Sequence, residues 1–145
     1  FFYIATVNTP AMVLEMVGVG SQYALAATDA NGQYLDGSQN YKLTIPKDVP
    51  AKDFWSLVVY DPQTRSMLQT DQPYPSKNNE RNPDMQTNAD GSTTIWFGPK
   101  APAGKEANWI QTVPEKGWFV CLRLYGPLKP WFDKTWRPGE IHKVN

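Results

Sequence analysis

The run GWFVCLRLYG, residues 117–126, decides how the rest of the chain is read. Strands send alternate side chains to opposite faces. Trp118, Val120, Leu122 and Leu124 therefore share one face, and Phe119, Cys121, Arg123 and Tyr125 share the other. This is the strongest strand signal in the sequence, with Arg123 as its one charge. A guanidinium within a central strand is costly unless it is paired or faces a wet cavity. Two readings follow: a buried ion pair with Asp61 or Glu106, or a clamp for an anion or carboxylate at the mouth of a sandwich.

Working outward, FWSLVVYD (residues 54–61) is also apolar on both faces and reads as a central strand ended by Pro62. YKLTI (41–45) alternates cleanly, with Tyr41, Leu43 and Ile45 on one side and Lys42 and Thr44 on the other. SQYALAATD (21–29) is a strand candidate closed by the hairpin signal DANG. RSMLQT, STTIWFG, NWIQTV and EIHKV add further short strands, and PLKPWFDKTW a helical turn. Residues 71–92, rich in Pro and Asn and without periodicity, read as a long loop. Near the start, NTPAMVLEMVG predicts a short helix with Thr9 as cap, Pro10 in its first turn and Gly18 as its stop. The expected fold is all-β: a jelly-roll-like antiparallel β-sandwich of seven or eight strands over residues 21–145, after a helical lead-in over residues 1–20.

Composition agrees. A chain of 145 residues fits one domain, and 19 aromatic residues with 13 prolines favour sheets and turns over a helical bundle. Lys+Arg and Asp+Glu stand at 14 each, so no basic footprint for nucleic acid exists. No apolar run approaches the ~20 residues needed for a membrane span. The first residues, FFYIATV, carry no initiator Met and no basic leader pattern. They read as an internal stretch of a longer protein, with any targeting signal upstream.

Catalytic constellations are scarce. One His and one Cys make no zinc or haem set, and no cofactor is implied. Asp29, Asn31 and Asp36 offer oxygen ligands without calcium-loop spacing and read as turn chemistry. Cys121 reads as inert core and His142 as a solvent-facing strand residue. No nucleophile elbow and no phosphate loop occurs. Asp61 reads as an Asx turn, or else as the start of a groove rim continued by Arg65, Ser66 and Gln69. The loop GPKAPAGKEANWIQT (98–112) brings Lys105, Glu106, Asn108 and Trp109 together. With Arg123 and Arg65 these are the candidate ligand-binding residues; Glu106 with Asp133 is the best candidate carboxylate pair for glycoside chemistry. Trp131 or Trp136, if exposed, would offer a stacking platform for sugars.

With TPAM, GVGSQYA, YKLTIPKDVPAKDFWSLVVYDPQTRSMLQTDQPYPS, NADGS and FGPKAPAGKEANWIQTVPEKGWFVCLRLYGPLKPWFDKTWRPGEI side by side, the chain resembles the bacterial and archaeal domain of unknown function numbered 1214. The resemblance implies a jelly-roll-like domain at the C-terminal end of a larger protein, behind a β domain of unknown function numbered 1254. It also implies export to the periplasm or cell envelope. It carries no settled activity, so no catalytic residue comes with it. The loop matches the family pattern at Gly98, Pro99, Pro102, Gly104, Lys105, Asn108 and Trp109. The expectation is a non-catalytic module serving packing on the upstream domain, homo-oligomerisation, or binding of a glycan or small molecule. The alternative is a glycan or ester hydrolase with a cleft near Glu106 and Arg123.

Overall fold

The computed structural model describes residues 14–144. Two four-stranded sheets account for nearly all its regular structure. The first runs β1 (Ser21–Ala26), β7 (Phe119–Tyr125), β3 (Trp55–Tyr60), β4 (Ser76–Asn78) across its width. The second runs β6 (Trp109–Gln111), β5 (Thr93–Gly98), β2 (Asn40–Ile45), β8 (Ile141–Val144). All pairs are antiparallel except β5 with β6. Most connections cross from one sheet to the other, as expected of a jelly-roll-like sandwich.

The alternation read from the sequence sets the register of the two inner faces. Val120, Leu122 and Leu124 of β7 and Leu57 and Val59 of β3 meet Tyr41, Leu43 and Ile45 of β2 and Ile95 and Phe97 of β5 in one buried cluster. Each such side chain contributes about 1.5–3 kcal/mol through its burial. Trp118, 2% exposed, bridges the layers. Its ring stacks on Phe97 at 4.8 Å and meets Tyr41 edge-on at 5.7 Å.

Three expectations change. RSMLQT forms no strand: Tyr60 and Met67 make an isolated bridge, and the Leu68 N–H donates to the Val59 carbonyl. The long loop contains β4, whose residues SKN are too polar and too few to show alternation. Of the expected N-terminal helix, residues 8–13 lie outside the described residues, while 14–16 carry no regular structure and 17–18 form a turn. Gly18 there has φ +74°, so the chain turns where the helix would have continued. The helical turn after β7 is α1 (Lys129–Phe132), with Pro130 near its start. Among the described residues no helix is long and apolar enough to cross a membrane.

Candidate functional site

The outward face of the first sheet is unusual for a surface. Cross-strand register places Tyr23 and Ser56 beside Arg123, Leu25 and Val58 beside Cys121, and Tyr60 beside Phe119. Phe54, just before β3, stacks on Tyr125 with ring centroids 4.0 Å apart, and Tyr60 stacks on Phe119 at 5.2 Å. An outward sheet face is ordinarily polar; this one is aromatic and aliphatic. Burial raises the Tyr60 hydroxyl above the usual phenol range, and pushes the Cys121 thiol up to about 11. Cys121 is therefore a protonated, unreactive thiol, as expected from its strand.

Arg123 sits in the middle of this face. The expected ion pair is absent: Asp61 is taken by Lys116, and Glu106 belongs to the other sheet's loops. The guanidinium instead lies 4.3 Å from the centroid of Tyr125 and 5.2 Å from that of Tyr23. Two aromatic faces replace a carboxylate, the arrangement a planar cation favours. Its Nε is buried and finds no partner among the described residues.

The second sheet's outward face carries the loop of residues 98–112. Lys105 and Glu106 are both exposed. Glu106 Oε1 accepts the Gly104 N–H at 3.1 Å, so this carboxylate holds its own turn. Asn108 is buried; its Nδ2 donates to the carbonyls of Gln86 and Thr94, both at 2.8 Å, and its Oδ1 accepts the Gln86 N–H at 2.7 Å. Trp109 Nε1 donates to the Gly98 carbonyl at 3.0 Å, tying the two ends of the loop. A transverse row runs outward across the sheet: His142, Lys42, Trp96, Trp109. Lys42, Trp96, Lys105 and Asn108 line a cleft of about 210 Å³.

The expected site residues thus divide. Lys105, Glu106, Asn108 and Trp109 stand together on the second sheet; Arg123 lies on the outer face of the first, with the core between them. No single cleft joins Glu106 to Arg123. Arg65 lies elsewhere again, exposed in the turn after β3 with φ 60° and its N–H donating to the Asp61 carbonyl at 2.8 Å. In that turn Asp61 Oδ1 accepts the N–H groups of Gln63 (2.7 Å) and Thr64 (3.2 Å), the expected Asx chemistry. Asp29 does the same for Asn31 and Gln33. Asp133 accepts from Thr135 within its own turn. Cys121 and His142 occupy different sheets, so they form no dyad. Trp136 is buried with its N–H on the Lys47 carbonyl, and Trp131 is half-buried with its N–H on Gln22, so neither makes an open platform.

Sequence comparison matches residues 20–129 to the family described as "Protein of unknown function (DUF1214)". The chain belongs to the DUF1214 family. No curated protein matches it. Among solved structures, the DUF1214 chain is similar to the VPA0106 protein from Vibrio parahaemolyticus, at 26% identity and TM-score 0.74 over 88% of this chain. It shares its fold with an uncharacterised protein from Burkholderia cenocepacia, at 18% identity and TM-score 0.54 over the same share. It spans 31% of the length of each of those chains.

Sequence reasoning missed Tyr23, Phe54, Tyr60 and Trp96 as surface groups. Each sits in an apolar run where an aromatic reads as core, and only the register shows which side it faces. The odd-numbered half of GWFVCLRLYG carried the available signal: an outward face with only Arg123 charged.

Proposed function

We propose that this DUF1214 domain is a non-catalytic packing module whose working surface is the outer face of the first sheet, and that its occupant is an upstream β domain of the same polypeptide. The observation that carries the reading is the face itself. Tyr23, Leu25, Phe54, Val58, Tyr60, Phe119 and Tyr125 surround one arginine that has no carboxylate partner among the described residues. Tyrosine and arginine in an apolar surround are the composition of interface anchors, and patches this apolar are rarely left to solvent. Two further facts favour a domain from upstream. Leu14, Met16, Val17 and Val19 are exposed in the segment leading directly into β1, which borders the face. The similar solved chains are about three times as long as this one. The hydrolase reading loses its geometric basis, since its two anchors stand on opposite sides of the sandwich.

The test is tyrosine footprinting on the parent protein, with its mass in solution followed by light scattering. Exposed Tyr34 and Tyr74 serve as reactive standards. Tyr23, Tyr60 and Tyr125 should be protected in a monomer. Protection that appears only in an oligomer would assign the face to a second copy, and full reactivity in every state would end the packing reading.

A further inference from the structure

A second feature lies at the free edge of the first sheet, where β4 and its flanking loops enclose a cleft of about 460 Å³. That volume is within the range of small-molecule sites. The walls are held from both sides. Gln72 is fixed to β6, its Nε2 on the Trp109 carbonyl at 3.3 Å and its Oε1 accepting the Gln111 N–H at 2.8 Å. Opposite, Asn78 Oδ1 accepts the N–H groups of Glu80 and Arg81, and Asn82 Oδ1 accepts that of Asn78. Such side-chain bonds fix the loop backbone before any ligand arrives.

The charge of the lining is one-sided. Lys77 and Arg81 both line the cleft, and no carboxylate does. Lys77 is 9% exposed, and its ammonium makes no hydrogen bond or ion pair among the described residues. Burial lowers its pKa, and the pull of Asp84 offsets only part of that. The stem is what lies buried; the ammonium itself keeps contact with solvent, and an unpaired cation on a fixed stem suits a bound anion. Arg81 supplies the planar fork that suits carboxylate and phosphate oxygens.

We propose that this cleft binds a small organic anion, with Lys77 and Arg81 holding its carboxylate or phosphate group and Tyr74 at the mouth. The competing account is that Lys77 only guards a sheet edge, its stem covering apolar surface.

The two are separated by calorimetric titration of the full parent polypeptide with inorganic phosphate and, separately, with succinate, each against sodium chloride of matched ionic strength. At least one anion should bind saturably. Lys77→Met and Arg81→Gln should each weaken it about ten- to hundred-fold, the range for losing a charged hydrogen bond, while Lys77→Arg retains it. Melting curves show whether each variant is folded. The better probe identifies the head group. Absence of saturable binding by both, or equal binding by a folded Lys77→Met, overturns the proposal.

Discussion

Asp61 illustrates how one residue does several local jobs. It closes the turn after β3 with one carboxylate oxygen, and with the other it accepts from Lys116 Nζ at 2.5 Å. The Lys116 hydrogen bond, reinforced by the turn N–H groups, holds its pKa below the usual aspartate range. Because the folded value is depressed, its stabilising contribution is complete above the unfolded pKa of about 4 and drains away as pH falls from there through the folded value. Asp61→Asn should therefore lower stability at neutral pH and flatten the acid limb, which urea midpoints at pH 3 to 7 would record. An unchanged acid limb would mean that other carboxylates control it; Asp90 and Asp133 are depressed in the same direction. Asp61 was legible as an Asx turn because Asp-Pro-Gln-Thr is local chemistry. Its partner Lys116 was not, because the two meet only when the β3 turn and the segment before β7 come together. Arg123 fails in the same way: its aromatic neighbour Tyr23 comes from the other end of the chain.

At the scale of elements, β5, β6 and the loop between them depend on Asn108. A parallel pair needs a crossover rather than a tight hairpin, and here the loop of residues 99–108 makes it without a long helix. Asn108 satisfies three backbone groups, two on Gln86 and one on Thr94, thereby tying the long polar segment to β5. Asn108→Ala should leave those groups unsatisfied and cost about 2–4 kcal/mol, at the usual cost of buried unmade hydrogen bonds. Chemical denaturation with unchanged slope is the check; a loss below about 1 kcal/mol would show that water replaces the amide. Strands with clean alternation, β2 and β7 above all, were visible beforehand because burial acts on every second residue. β4 was invisible because its three residues are polar and its place is set by pairing to β3.

For the whole molecule, the two outer faces differ in kind. The first is aromatic around Arg123, and the second is mixed, with lysines, threonines and the Trp96–Trp109 pair. Fold class was legible because it follows from patterns of period two, which survive without knowledge of neighbours. The division of the candidate residues between opposite sides was not, since it depends on which strands share a sheet. The four sheet edges also differ. β4 and β6 are three residues long, and β8 exposes His142 and Lys143. β1 is six residues long, uncharged, and among the described residues pairs only with β7. Short or charged edges resist adding a foreign strand; a long neutral one invites it. Among the described residues, the rim of this sandwich is therefore open to intermolecular strand addition at β1, and Leu25, 49% exposed there, is the place for a guard. In the domain cut free of its upstream partner, Leu25→Lys should slow light-scattering growth on gentle heating with little change in melting temperature, whereas a lysine replacing His142 should not.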